Sequence, residues 1–277
     1  MSILEAALLG LIQGLSEFIP ISSTAHLTLA GHLLGSVDAT TPERWTSFIA
    51  TIQLGTLLAV FIYFAKEIKL IPTAFIRENL GAGRKKYSEQ SQDSKMGWFI
   101  AVSTVPIVAI GLAVKKIIEG GFTKDPIVIG ISLISLAIVL AIAEKVGKFN
   151  RETKDLTMKD ALIVGFAQCL ALIPGASRSG TTITAGIFTG VTRDTAAKFS
   201  FLLSIPAISA SGLLEFYQSL QYIDSAEFTS LAVATLVAAI SGYASIAFLI
   251  KFLKTRTTYS FVVYRIVIGI AVLYYFS

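Results

Sequence analysis

Asp, Glu, Lys and Arg are absent from five long stretches of this chain: Trp45–Ala65, Met96–Val114, Ile127–Ala143, Phe199–Leu214 and Phe228–Ile250. Most are close to the roughly 20 residues with which a helix crosses a bilayer core. A sixth block, Thr257–Ser277, is interrupted only by Arg265. Charged residues make up 15% of the 277 and hydrophobic residues 54%, whereas a soluble domain carries about 25% charged residues. A chain this depleted cannot cover a globular surface with polar groups. The pattern predicts an all-α polytopic membrane protein with six full spans. The net charge of +5 does not point to nucleic acid, because the basic residues lie between apolar blocks rather than on one aromatic-studded face. Cys169 is the single cysteine, and the only histidines are His26 and His32, so no Cys/His cluster has metal-ligand spacing.

Two further apolar regions do not read as simple spans. Ser2–Gly35 is broken at Ile19-Pro20-Ile21-Ser22-Ser23, and Ala161–Gly190 at Ile173-Pro174-Gly175-Ala176-Ser177. Proline removes a backbone donor and disfavours helix in the residue before it. Each side of a break is short for a crossing at about 1.5 Å per residue, so each region reads as a pair of re-entrant half-helices.

The basic residues test this topology. Seventeen of the 23 Lys and Arg fall in 66–95, 145–159, 190–198 and 251–256. Only Arg44, Lys115, Lys116 and Lys124 fall in the opposite set, with the basic-free loop around Asp224 and Glu227. With both broken regions re-entrant, the rich loops share one side, the cytoplasmic one, and both termini lie outside. The first pair then enters from outside and the second from the cytoplasm. This predicts one membrane domain of two inverted repeats, 1–148 and 156–277. The internal echo supports it: Ile19-Pro20 matches Ile173-Pro174, Ser23 matches Ser177, and Gly35 echoes Gly190. Inverted repeats with broken helices place their site where the breaks meet.

At each break a new helix exposes backbone N–H groups and the positive end of its dipole. Ser22-Ser23-Thr24 opens one half-helix and Ser177-Arg178-Ser179 the other. Hydroxyls beside free N–H groups, with an arginine fork, suit phosphate oxygens, and two converging ends suit a diphosphate. Plain N-capping by these residues is the competing reading. Glu17, a carboxylate in an apolar half-helix, marks a functional site by default, with Gln13 four residues earlier on the same face. The alternative is a structural Glu17–Arg178 pair. His26 shares a face with Ser23 and can serve as general acid or base, or as a structural hydrogen-bonder. Arg265, preceded by Tyr264, either faces the site or pairs with Glu215. Glu144 and Lys145 are expected to snorkel at a span end. Gly55, Gly111, Gly130, Gly242 and Gly269 are expected at close helix contacts.

The stretch Gln13-Gly14-Leu15-Ser16-Glu17-Phe18-Ile19-Pro20-Ile21-Ser22-Ser23-Thr24-Ala25-His26 resembles the Glu/Gln-x-x-x-Glu region of the undecaprenyl-diphosphate phosphatases of the bacitracin-resistance type. Pro174-Gly175-Ala176-Ser177-Arg178-Ser179-Gly180-Thr181-Thr182 resembles their second motif, Pro-Gly-x-Ser-Arg-Ser-x-x-Thr. The similarity extends over essentially the whole chain, including Gln53-Leu54-Gly55 and Gln168-Cys169-Leu170-Ala171-Leu172. The resemblance implies a multi-pass enzyme of the bacterial cytoplasmic membrane, with its site opening to the outer face. Such an enzyme hydrolyses undecaprenyl diphosphate to undecaprenyl phosphate and phosphate, recycling the lipid carrier of peptidoglycan synthesis. Carried over by position, Glu17, Ser23, His26 and Arg178 are catalytic, and Gln13, Ser22, Thr24, Ser177, Ser179 and Thr182 bind substrate. The resemblance also implies a divalent cation, Mg2+ or Ca2+, at Glu17, although Gln13 in place of a second Glu weakens a two-carboxylate site.

Ser23 is the first-choice nucleophile, with His26 as its base; direct attack by His26, or by water that it activates, is the alternative. A polyprenyl-phosphate flippase is the rival function, since broken inverted repeats are transporter architecture. The other lipid phosphatase class needs a histidine after its Ser-Arg, and none follows His32. The expected partners are the polyprenyl diphosphate and the bilayer, with homo-oligomerisation left open.

Overall fold

The computed structural model describes residues 1–35, 42–81, 83–114, 125–220 and 225–276. Lys115, Lys116, Lys124 and Asp224, which entered the orientation count, lie outside the described residues. Among the described residues there are eleven α-helices and no strand. They are α1 Ile3–Phe18, α2 Ser23–Leu33, α3 Pro42–Tyr63, α4 Ala65–Asn79, α5 Gln92–Ala113, α6 Pro126–Val146, α7 Met158–Gln168, α8 Arg178–Phe188, α9 Arg193–Ser219, α10 Ser225–Leu253 and α11 Tyr259–Phe276.

Six of these, α3, α5, α6, α9, α10 and α11, are long and apolar enough to cross a membrane, with apolar segments of 18–27 residues. They are the six expected spans, but several run past their charged edges. Helix α9 begins at Arg193 and α5 at Gln92, because charge marks where hydrocarbon ends rather than where hydrogen bonding ends. Between α3 and α5 the sequence shows only a basic loop, yet α4 forms there. Its Ile71 and Ala74, three residues apart, are buried on the side that packs against α5, a helical spacing that the surrounding charge obscures.

Proline alone does not break these helices. Pro72, Pro106 and Pro206 sit inside α4, α5 and α9, whereas Pro20 and Pro174 precede residues with positive φ. Helices α2 and α8 have 11 residues each, about 16 Å at 1.5 Å per residue, which is half of a bilayer core of about 30 Å.

The packing interlocks the two ends of the chain. Helix α1 lies on α10 and α7 lies on α5, while α3 packs on α9 and α10, and α6 on α11. The α1–α10 contact is made through glycine: a Cβ on Gly10 would stand 2.2 Å from Ala234 O, and one on Gly14 2.6 Å from Ala238 O. Of the glycines expected at close contacts, Gly55, Gly130 and Gly269 are there. Gly242 is there too, its backbone nitrogen standing 2.6 Å from where a Cβ on Gly14 would be, whereas Gly111 is not, since its Cβ would meet nothing nearer than 3.9 Å; Gly111 faces a cavity instead. Glu144 does not snorkel. It is buried, takes both Arg193 Nε (2.8 and 3.0 Å) and Thr258 Oγ1 (2.8 Å), and also pairs with Arg193 Nη2. It thereby joins the ends of α6, α9 and α11.

Candidate active site at the junction of the two breaks

Both half-helices after the breaks start in the same unusual way. Ser22 (φ 76°) and Ser177 (φ 69°) are the N-caps of α2 and α8, in a region of backbone space that non-glycine residues enter at a cost of about 1–3 kcal/mol. Each hydroxyl accepts the N–H three residues on, from Ala25 at 3.3 Å and Gly180 at 3.1 Å. Both helices then run 11 residues and are followed by a glycine with positive φ, Gly35 or Gly190. The serine that corresponds to Ser177 is therefore Ser22, not Ser23. The second break holds one extra residue after its proline, and Gly175 (φ 83°) absorbs it. In this register Arg178 corresponds to Ser23, as the first residue of its helix.

Those two first residues meet at Glu17. Ser23 Oγ donates to Glu17 Oε2 at 2.7 Å, Gln13 Nε2 donates to the same oxygen at 2.9 Å, and Arg178 Nη2 holds Oε1 at 2.9 Å. Glu17 and Gln13 are buried, and the Arg178 side chain is 13% exposed. Arg178 is braced from behind by the Ser200 carbonyl at 3.2 Å. Ser179 Oγ donates to the carbonyls of Glu17 (3.2 Å) and Ile19 (3.3 Å), tying the start of α8 to the end of α1. Thr182 turns away, to the Arg178 carbonyl and the Ser200 hydroxyl.

A cavity of about 440 Å³ opens on this junction. Glu17, Ser22, Ser23, Thr24, Ser177 and Arg178 line it; Gln13, His26, Ser179 and Thr182 do not. Its remaining walls are largely apolar, including Ile49, Ile107, Val108, Leu112, Ile208 and Leu214. The cavity thus joins an anion-binding end to a hydrocarbon-compatible one.

His26 is placed differently from the expected base. Its Nδ1 is 2.7 Å from the Ser22 carbonyl, its Nε2 is 2.7 Å from Tyr264 Oη, and the two rings stack at 5.6 Å. A carbonyl only accepts, so Nδ1 carries a proton, and in the neutral imidazole Nε2 accepts from the tyrosine. No hydrogen bond joins His26 to Ser23 or Glu17; it braces the strained cap instead.

Arg265 faces the breaks rather than Glu215, whose carboxylate takes the Ser47 hydroxyl at 2.7 Å. The guanidinium is 1% exposed and donates to four carbonyls: Pro20 (3.2 Å), Gly175 (3.2 Å), Ala176 (3.1 Å) and Leu133 (3.2 Å). One side chain therefore satisfies the loose ends of both breaks. It lies so close to α8 that a Cβ on Gly180 would stand 2.7 Å from Nη1. Tyr264 and Arg265 are the site residues to which the sequence assigned no role, although an arginine inside the last apolar block was their signal.

The residues fit a resident divalent cation poorly. Among the described residues no three His, Cys, Asp or Glu come together. The one carboxylate at the junction has both oxygens engaged, one of them by an arginine.

A family model described as "Bacitracin resistance protein BacA" matches residues 6–271. The chain is 56% identical over 274 residues to the undecaprenyl-diphosphatase of Syntrophobacter fumaroxidans, covering 99% of this chain and 97% of that protein. It is 49% identical to the undecaprenyl-diphosphatase of Chloroherpeton thalassium, covering 99% and 96%, and 46% identical to that of Myxococcus xanthus, covering 99% and 89%. With the match running through both breaks and all six long helices, the chain belongs to the BacA bacitracin resistance family.

Proposed function

We propose that this chain is an undecaprenyl-diphosphate phosphatase, and that Glu17 serves Ser23 as its base. The observation that carries the reading is the arrangement at Glu17, where one oxygen takes the Ser23 proton and the other holds Arg178 at two helix N-termini. The diphosphate sits at those termini, with its polyprenyl chain leaving along the apolar wall. Arg178 swings from Glu17 to the terminal phosphoryl oxygens and steadies the charge that develops on them. Ser23 Oγ attacks phosphorus as its proton passes to Glu17, and the bond to the bridging oxygen breaks, releasing undecaprenyl phosphate. Glu17 gives that proton to the leaving oxygen, then takes one from the water that attacks the phosphoserine and returns it to the departing Ser23 Oγ, leaving free serine, orthophosphate and the Glu17 carboxylate. His26 and Tyr264 hold the Ser22 cap, and Arg265 fixes both breaks.

No step needs a cation on the protein. Mg2+ is commonly held by one or two carboxylates together with substrate phosphates, so a divalent cation used here arrives on the diphosphate.

The two broken regions are read as re-entrant pairs of two inverted repeats, 1–148 and 156–277. The matching caps and the exchanged pairings, α1 with α10 and α7 with α5, support that reading. The basic loops face the cytoplasm and the termini and cavity face outward, in a cytoplasmic membrane. Single cysteines at Ser2 and Ser88 in a Cys169→Ala background should label from opposite sides. The activity is tested by phosphate release from undecaprenyl diphosphate by purified protein in micelles, where no second compartment exists. Release that persists in Ser23→Ala, Glu17→Ala and Arg178→Ala refutes the assignment.

A further inference from the structure

The cavity continues beyond the serine and arginine, between α2, α3 and α9. Thr28 stands one turn past Thr24 on α2, about 6 Å along the axis, and lines the same cavity as Trp45 of α3. Thr28 is 1% exposed and Trp45 is 5% exposed. Neither Thr28 Oγ1 nor Trp45 Nε1 has a hydrogen-bond partner among the described residues. Buried polar groups almost always have one, and the hydroxyl of Ser47, two residues on along α3, is spent on Glu215. The cavity that both residues line is the place from which a missing partner can be supplied. An indole N–H can only donate, so that partner must offer an acceptor oxygen.

We propose that Thr28 and Trp45 form a second phosphate-group subsite, one helical turn from the first. The inference rests on the phosphatase reading for the identity of the ligand. Two neutral donors in a wall that also carries the Glu215 carboxylate hold an anion more loosely than Arg178 and a pair of helix termini do. Such a subsite suits a phosphate group in passage rather than one being cleaved. Orthophosphate leaving the inner site and the headgroup of the lipid monophosphate carry the same chemistry.

The test is equilibrium binding of two probes, inorganic phosphate and farnesyl phosphate, to the full chain in detergent. Thr28→Val and Trp45→Phe each remove the donor and keep the shape, and Arg178→Ala serves as the background in which the inner site is weakened. Both donor variants are expected to weaken at least one probe by five- to tenfold, in the native and the Arg178→Ala backgrounds alike. A loss confined to inorganic phosphate assigns the subsite to released product. A loss confined to farnesyl phosphate assigns it to the lipid headgroup. If both variants bind both probes as the native chain does, the two groups are satisfied by water and the proposal falls. A native chain that binds both probes through Thr28 and Trp45 but releases no phosphate from lipid diphosphate counts against the phosphatase reading and leaves the subsite standing.

Discussion

Glu17→Gln changes one charge and almost no volume, and its expected effects on turnover and on binding have opposite signs. The carboxylate accepts the Ser23 proton at 2.7 Å, so losing the base should lower kcat by about 10²–10⁴, the usual worth of general base catalysis. Binding should not suffer. A phosphoryl group entering the site competes with Glu17 for Arg178, which stands 2.9 Å away. At an effective dielectric of about 20, charges roughly 4 Å apart attract by about 4 kcal/mol. Most of that is offset, because Arg178 keeps the Ser200 carbonyl and must be desolvated in either state. If a quarter to a third is recovered, about 1–1.4 kcal/mol, the substrate Kd falls roughly five- to tenfold. Phosphate release in micelles gives kcat and KM, and binding of uncleaved lipid diphosphate to the variant gives Kd directly. The melting temperature is followed alongside, since breaking a buried pair can itself destabilise by about 3–5 kcal/mol. A variant with native kcat and raised KM would show that Glu17 binds rather than reacts, and the mechanism would be wrong.

Arg265→Met leaves four carbonyls of the breaks and α6 without their donor. It should destabilise by about 3–5 kcal/mol, read as a lower melting temperature, with Arg265→Lys recovering part of the loss; a native melting temperature and kcat/KM in the methionine variant would contradict the role. Tyr264→Phe and His26→Ala should each lower kcat/KM less than Ser23→Ala does, because neither touches the Ser23–Glu17 contact. A loss in His26→Ala as deep as in Ser23→Ala would make the imidazole the base. On the predicted cytoplasmic face, burial alone would raise the Asp160 pKa, but hydrogen bonds from Arg151 and Thr157 outweigh it and hold the carboxyl below its ordinary value. A carboxylate depressed on folding stabilises above its unfolded pKa of about 4, and that stability is lost as pH falls through the folded value. Asp160→Asn should therefore melt lower at pH 7 and decline less steeply below about pH 4.

The spans, the two breaks and the meeting of Glu17, Ser23 and Arg178 were legible because each is a local signal: absence of charge, a proline followed by serines, a carboxylate in apolar surroundings. What escaped were contacts made over long sequence distances. Ser23 and His26 are three residues apart on α2, a spacing that suggests a shared face. The imidazole is nevertheless drawn off by Tyr264, which lies 238 positions away. Arg265 showed as an anomaly but not as a clamp, because its four partners are backbone carbonyls, which carry no residue signature. The alignment of the breaks slipped by one for a related reason. Proline is visible in a sequence, whereas the positive φ that fixes the register belongs to Ser22 and Ser177 and leaves no mark on composition.

The two caps invite one more prediction. Gln13 and Gln168 each lie nine residues before their cap serine, Ser22 and Ser177, while five residues before the caps stand Glu17 and Leu172. In the first break the buried Gln13 amide donates to Glu17 one turn on. In the second, Gln168 is fully buried and neither Nε2 nor Oε1 has a partner among the described residues. A buried amide left unpaired costs about 1–3 kcal/mol. Gln168→Met, which removes both polar atoms at similar volume, should hold or raise the melting temperature and leave phosphate release intact. Gln13→Met removes a donor that Glu17 uses, so it should cost kcat. If the two broken regions share the chemistry evenly, the two substitutions will hurt alike. If the first supplies nucleophile and base and the second only the arginine, Gln168 will prove dispensable and Gln13 will not. Activity lost at Gln168 with the melting temperature preserved would refute this division of labour.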